Sequence, residues 1–539
     1  MRTDVRPVLI VGGSVVGLTT AFFLASYGIP TLVVESHPAA GTHPRARGLN
    51  PRSMELFRPW DVEETLREGT PEIHGDELIV QLTSLAGEEI RRMELESFTE
   101  LDRLSPTTWL SIGQDKLEPK LCELARERGA EVRYGHRMLD CAQDDDGVSA
   151  TVLDRASGAE YRVRARYLVG ADGHRGQIRE LLGIGATEVA ESNTALSALF
   201  RADLSEVLAG RNISIAITVG PGTRNSVLTW VEDDMWMVGF RHDAEVGGEV
   251  EFTEEQWVEV IRAVAGDESL AVEITYTDQW EVGARIADTY QRGRIFLAGD
   301  SAHLMPPSGA FGASTGTQDA QNLAWKLAMV LNGQAGTGLL DSYTAERQPT
   351  GALTVRQSAL RARERRQSAD TERLPENTVM LGYKYQSPAV LTEPGDTAGY
   401  ADPNTPTGLP GSRGPHVVVE TKGAQKSLLD LYGRGFVLLT GPDGTEWVKA
   451  GEAVAAELGI DLAAWTVGPR EASADLVDVH GVWNEQYGVT NDGVVLLRPD
   501  GIIAWRSKSA ADDRENELRT ALERILSRRM GKPTTLANS

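Results

Sequence analysis

The sequence predicts an α/β protein in which a doubly wound, mostly parallel unit is interrupted by a middle antiparallel sheet and followed by a small α/β domain. Three stretches carry that prediction. Residues 7–35 read as one βαβ pattern, with a Gly-rich turn after the first strand and an acid closing the second. Residues 294–328 read as strand, aspartate, glycine-rich turn and helix, in that order. Between about 185 and 285 the texture changes to short strand-like runs.

At 539 residues the chain is too long for one core, and two or three domains are expected. A hydrophobic content of 41% and a charged content of 24% are those of a soluble globular protein. The net charge of −24 argues against nucleic acid and anionic membrane surfaces as partners. Cys122 and Cys141 form no CxxC, metal spacing or disulfide framework, and both are expected to be buried and reduced. The N-terminal apolar run is broken by glycines, so neither a signal peptide nor a span is expected, and the expected compartment is the cytoplasm.

Taken in order, Val8-Leu9-Ile10-Val11 is the continuous apolar run of a buried parallel strand. Gly12-Gly13-Ser14-Val15-Val16-Gly17 is a tight turn, residues 18–27 a helix stopped by Gly28, and residues 31–35 a second strand. Gly12 permits the turn, Gly17 lets helix pack on strand, and Glu35 sits where a ribose hydroxyl is read. Ser14 departs from the pattern by occupying the place of the middle glycine, yet it is small enough for close backbone approach to a pyrophosphate. The candidate dinucleotide contacts here are Gly12, Gly13, Ser14, Val16, Gly17, Glu35 and Ser36.

Further along, residues 78–82 are strand-like, 116–128 form a helix ended by Gly129, and 131–134, 147–154 and 159–166 read as short strands. The acidic run Asp144-Asp145-Asp146 is a solvated turn, because it lacks further ligand spacing for a cation. Residues 167–179 form a strand, a turn at Asp172-Gly173, and a helix. Strands are expected at 194–202, 213–219, 226–231 and 235–241, and a helix at 254–265. At Gly299-Asp300 a buried strand delivers one carboxylate. The small residues from Ser308 to Gly316 then let the backbone approach something flat and large, and a helix over 319–328 points its positive end at it. Residues 338–365 are helical with Pro349 near a bend, and Arg361, Arg363, Arg365 and Arg366 are read as a solvated face. Residues 387–415 have a linker's composition. Beyond them a strand at 436–439, a helix at 447–458, a strand near 474–479 and a hairpin at Pro499-Asp500-Gly501 suggest the last small domain.

The Gly299-Asp300 pair, His303, Pro306-Pro307 and residues 319–327 resemble the second FAD motif of the flavoprotein aromatic hydroxylases, the family of para-hydroxybenzoate and phenol hydroxylases. Asp172 and Arg179 match the family's Asp-Gly motif, although Gly176 stands where a serine is usual. The His43 to Leu56 segment matches the run beside the flavin. In overall appearance the chain is most similar to aromatic polyketide hydroxylases of the tetracenomycin, anthracycline and angucycline type.

That resemblance implies an FAD-binding domain over 1–75, 111–184 and 286–386, with a substrate domain over 76–110 and 185–285. A linker over 387–415 and a thioredoxin-like domain over 416–539 follow; the last contains no cysteine, which excludes thiol–disulfide chemistry in it. It implies FAD, NADPH (with NADH as the alternative) and O2, and hydroxylation of a polycyclic aromatic substrate through a flavin C4a-hydroperoxide. Implied cofactor contacts are Gln114, Asp172, Gly299, Asp300 on the ribityl chain, and Pro307, Gly312, Ser314 and Thr315 beside the isoalloxazine. By the same resemblance Arg45 is expected to contact the cofactor and act in catalysis from a loop that moves with the flavin, and the Pro306 carbonyl is expected to face the hydroperoxide. An aromatic substrate needs a mostly apolar cleft, for which Trp230, Trp236, Phe240 and Trp280 are the candidates. No metal is expected, and a homodimer is the expected assembly. The alternatives are a Baeyer–Villiger or antibiotic-inactivating monooxygenase, a flavin reductase or dehydrogenase that does not activate O2, and a flavin-binding scaffold.

Overall fold

The computed structural model describes residues 3–43, 48–70, 78–93, 100–242, 248–364 and 372–528, in three sheets. Arg45 and the expected arginines at 365 and 366 lie outside the described residues.

The first sheet is built around strand Thr3–Val11, whose apolar end is almost fully buried. Thr31–Glu35 pairs parallel on one side and Glu160–Gly170 parallel on the other. Glu131–Tyr134 and Ile295–Leu297 extend the sheet, again in parallel. Three distant parts of the chain therefore supply one sheet. The antiparallel hairpin His136–Gln143 with Val148–Asp154 is attached to Glu160–Gly170. Helix Val15–Ser26 is apolar on nearly every side, as a helix buried all round must be. It packs against helices Gln114–Glu127 and Phe311–Leu331.

In the middle sheet, strand Ala186–Arg201 lies antiparallel between Glu273–Ala287 and Met235–His242. Val227–Glu232, Ile213–Thr218, Leu78–Leu82 and Glu89–Met93 continue it to one edge, and His303–Leu304 closes the other. That last short pairing ties the sheet to the Gly299-Asp300 turn. Strand Glu273–Ala287 was not legible in the sequence, because bulges shift its register and its polar residues obscure the alternation. One face of the sheet packs on helix Glu254–Ala265 through Trp257, Val260, Ile261 and Val264. This helix begins with a Thr253–Gln256 capping box and ends at Gly266.

The last sheet runs, in spatial order, Ala424–Ser427, Val418–Thr421, Leu476–Asp478, Leu462–Gly468, Phe436–Thr440, Val494–Leu497 and Ile503–Ser507. Helix Thr445–Leu458 packs on it, with Arg514–Ile525 alongside. Residues 387–415 are irregular but not loose. Leu391 N–H donates to the Ala504 carbonyl at 2.8 Å and Gly411 N–H to the Ile503 carbonyl at 2.7 Å, so the stretch is laced to the last strand. Helix Asp341–Glu364 continues through Pro349. Arg361, expected on a solvated face, is buried and donates to the carbonyls of Gln357 and Leu374. Cys122 is buried, whereas Cys141 is only half-buried. Among the described residues no helix is long and apolar enough to cross a membrane, and no group of three His, Cys, Asp or Glu side chains is placed to hold a metal.

Candidate active site

The carboxyl ends of the parallel strands open into one continuous cleft of about 2820 Å³ whose far wall is the middle sheet. A pocket for one drug-sized ligand is about 300–1,000 Å³, so this cleft has room for an extended dinucleotide and a second molecule. Gly12-Gly13-Ser14, Glu35, Asp172 and Asp300 each stand at or just beyond the end of a parallel strand, and all line it. This is where ligands bind on open α/β sheets.

Gly12 has φ 107°, and a β-carbon on it would stand 2.1 Å from the Ala171 carbonyl oxygen, so only glycine fits the turn. Glu35 accepts from Gly13 N–H at 2.6 Å and His37 N–H at 2.7 Å. Burial would raise its pKa, but these donors and the His37 ring outweigh that and hold it below the ordinary value. The lowered value favours the carboxylate, which can only accept hydrogen bonds. Ser36 lines the cleft beside it.

Ser14 Oγ donates to Glu118 at 2.5 Å, and Gln114 Nε2 reaches both Ser14 Oγ (3.0 Å) and Glu118 (2.7 Å). Asp172 is occupied by the protein itself: it accepts from Ile178 N–H at 3.0 Å and Ser301 Oγ at 2.9 Å. Burial nevertheless raises its pKa. Ser301 Oγ also accepts from Gly173 N–H at 3.0 Å, so Asp172 braces the two Asp-bearing turns against each other. A β-carbon on Gly176 would stand 2.1 Å from the Asp172 carboxyl carbon, so the carboxyl occupies the space that a side chain there would take.

Asp300 projects from the short 3-10 turn Gly299–Ser301 into the cleft. The turn is held from behind. Asp319 accepts from Gly299 N–H at 3.1 Å, pairs with His303 Nε2 at 2.7 Å and with Arg347 Nε at 2.7 Å. Arg347 also donates to the Thr315 carbonyl at 3.1 Å and to Tyr385 Oη at 3.0 Å. His303, Asp319 and Arg347 are fully buried. Arg347 and Tyr385 escaped the sequence reading because neither belongs to a motif; only the placement of Asp319 inside one gave a signal.

The turn beyond differs from expectation. Helix Phe311–Leu331 begins eight residues earlier than the expected Asp319. Ser314 and Thr315 are therefore in its first turns, with side chains facing protein. Ser314 Oγ accepts from Asn50 N–H at 2.9 Å, and Thr315 Oγ1 donates to the Phe311 carbonyl at 2.8 Å. Pro306, Pro307 and Gly312 do line the cleft. The Pro306 carbonyl accepts from Ser358 Oγ at 2.6 Å, which leaves it one lone pair. Val16, Gly17 and Gly299 stand behind the wall rather than on it: the Val16 side chain fills the space beside Gly299 and Gly316.

Strand alternation corrects the aromatic candidates. Residues 236, 238 and 240 share one face with Leu196, Ala198 and Phe200, and that face packs on helix Glu254–Ala265. Trp236 is thus core and does not line the cleft. Trp230 and Phe240 border the cleft, although their register places them on the helix-facing side of the sheet, where Phe240 packs on Phe252 and Trp257. Trp280 does face the cleft, paired with Ala195. Small side chains, among them Ser197, Gly239 and Thr229, pave part of that face beside Met237, while Tyr276, Asp278 and Arg241 bring an aromatic ring and charge to it. Met237, Gly239 and Arg241, which line the cleft, alternate along the strand with the helix-facing residues 236, 238 and 240.

A dinucleotide cradle at strand ends, joined in one cleft to a flat sheet face, defines a flavoprotein of the FAD-binding class. Residues 5–358 match the FAD binding domain family, and 407–529 match the aromatic-ring hydroxylase C-terminal family. The chain is 41% identical over 543 residues to a Burkholderia 4-methyl-5-nitrocatechol 5-monooxygenase, covering 97% of this chain and 98% of that one. It is 39% identical to the tetracenomycin A2 monooxygenase-dioxygenase of Streptomyces glaucescens, covering 99% of both chains. The solved ternary complex of aklavinone-11 hydroxylase with FAD and aklavinone superposes with a TM-score of 0.91 at 37% identity, covering 98% of this chain and all of that one. This chain belongs to the FAD-dependent aromatic-ring hydroxylases, and it is an FAD-dependent monooxygenase.

Proposed function

We propose that the protein hydroxylates a polycyclic aromatic phenol or quinol of polyketide type, consuming O2 and NADPH and releasing water and NADP+. The observation that carries this reading is the one cleft in which the strand-end turns run into a wide sheet face where small side chains such as Ser197 and Gly239 lie beside Trp280, with Asp278 and Arg241 as polar partners. Such a face suits a flat, many-ringed ligand. The polyketide names of the tetracenomycin and aklavinone relatives point the same way.

In this reading Glu35 receives the adenosine ribose and the backbone at Gly12 to Ser14 the pyrophosphate. Asp300 accepts from ribityl hydroxyls, while Pro307 and Gly312 border the flavin ring. Bound FAD supplies hydride acceptance and oxygen activation. The chain's part is to orient the substrate ring over the sheet face, exclude bulk water, and keep the helix Phe311–Leu331 pointing its positive end at negative charge. No side chain is assigned as general base. The domain limits set out from the sequence, a cytoplasmic location and a homodimer complete the proposal.

The test is a screen of polycyclic phenols and quinols against monocyclic catechols for substrate-stimulated NADPH oxidation, with mass spectrometry of products. A polycyclic substrate gaining one oxygen atom is the expected result. Turnover confined to nitrocatechols would assign the chemistry of the Burkholderia relative instead, and NADPH oxidation without oxygen insertion would defeat the monooxygenase reading of this substrate class.

A further inference from the structure

Ser14 holds the N-cap position of helix Val15–Ser26, yet its hydroxyl makes no capping hydrogen bond. A serine there ordinarily turns back onto the N–H groups of the first helical turn. Here it is drawn away. Glu118, buried on helix Gln114–Glu127, takes the Ser14 hydroxyl at 2.5 Å and the Gln114 amide at 2.7 Å on Oε1. Its Oε2 accepts from Gly41 N–H at 2.8 Å. An N–H donor thus meets each of the two carboxyl oxygens.

We infer that Glu118 is a positioning residue for the cofactor cradle: by holding the Ser14 hydroxyl off the helix end, it keeps the first-turn N–H groups open to the pyrophosphate. This rests on the placement of the pyrophosphate at the Gly12 to Ser14 turn. It also explains how the chain tolerates a serine where the fingerprint has glycine. Glycine offers no competing cap; serine does, and the competition is removed by an acid contributed from about a hundred residues away. The Gly41 contact extends the same clamp to the segment that follows Glu35, joining three separate stretches of chain at one carboxylate.

The test measures FAD release on dilution of the holoenzyme by recovery of flavin fluorescence, in a double-mutant cycle. Glu118→Ala is expected to weaken FAD binding about tenfold, the scale of one freed cap competing with the ligand. Adding Ser14→Gly is expected to restore affinity to within about twofold of Ser14→Gly alone, because no hydroxyl remains to compete. A purely structural role for Glu118 would give the same loss in both backgrounds. Should Glu118→Ala not fold, Glu118→Asp keeps the charge but withdraws it from Ser14, with a several-fold loss expected that Ser14→Gly again abolishes. Unaltered FAD release in the Glu118 variants, or a loss that Ser14→Gly fails to relieve, overturns the inference. Failure of the unmutated protein to hold FAD would instead overturn the placement on which it rests.

Discussion

Asp300 is the residue on which the proposed cofactor site turns. Although Asp300 is exposed to the open cleft, the protein crowding its carboxyl leaves it poorly hydrated and raises it above the ordinary value, with His303 and His174 opposing. A raised carboxyl costs the free protein stability once pH exceeds the ordinary 3.8, and hydroxyl donors from a bound ribityl chain offset that cost. Asp300→Ala should purify with little bound FAD; a yellow protein at full stoichiometry refutes the assignment. Affinity for FAD should also fall as pH drops through a value above 3.8, a limb that Asp300→Asn should lack in fluorescence titrations. The two tryptophans separate core from cleft. Trp236→Ala should lose about 3–5 kcal/mol in denaturant unfolding. Trp280→Ala should leave stability nearly unchanged and raise KM for the aromatic substrate.

At the scale of elements, the cradle depends on how closely helices Val15–Ser26 and Phe311–Leu331 approach. A β-carbon on Gly316 would lie 2.4 Å from Val16 Cγ2 and 3.2 Å from the Gly299 α-carbon. Gly316→Val should therefore destabilise by about 1–3 kcal/mol and reduce FAD content, since the displaced backbone carries Asp300. Val16→Ala in the same chain should recover much of both, measured by thermal unfolding and flavin absorbance. Elements were legible where one period dominated. The continuous apolar strand at Val8 to Val11 and the helix at Glu254–Ala265 are examples. Strand Glu273–Ala287 and the early start of helix Phe311–Leu331 were not, because bulges and a run of small residues leave no clear period.

Across the whole molecule, the last domain is joined to the FAD-binding unit by buried charge. Arg498 is fully buried in the hairpin and donates to Glu346 at 2.6 and 2.8 Å. Glu346 also holds Lys326 at 2.7 Å, and Asn322 bridges Glu346 and Asp500. Alongside, Arg413 from the stretch before the tail meets Glu55 on helix Pro51–Phe57, and Arg52 donates to the Asp500 carbonyl at 2.5 Å. Removing one partner strands the others in low dielectric, so Arg498→Met should cost about 3–5 kcal/mol. Deletion of residues after about 400 should yield insoluble protein rather than a trimmed flavoprotein; a soluble yellow fragment would show that the tail is dispensable. Burial would raise Glu55, Asp319 and Glu346, but their arginine partners hold all three carboxyls below the ordinary range. Their stabilisation is present above the unfolded value near 4.5 for glutamate and is lost as pH falls through the folded values. Lys326, lowered to about 8 by burial against the pull of Glu346, has the opposite sense: its cost is full below 8 and relieved towards 10.5. Thermal midpoints should accordingly drop on acidification below about 4.5.

The amino-acid order alone determined the three-part architecture and the strand-end turns that open on the cleft, because glycine spacing, apolar runs and strand-terminal acids act locally and leave a local mark. It could not say which wall each side chain faces, or which charges separated by hundreds of residues become partners. Sheet register placed Trp236 in the core and Gly239 on the cleft, and packing brought Glu118 to Ser14 and Arg498 to Glu346. Those outcomes depend on contacts between segments far apart in the chain, and only the closed tertiary structure decides them.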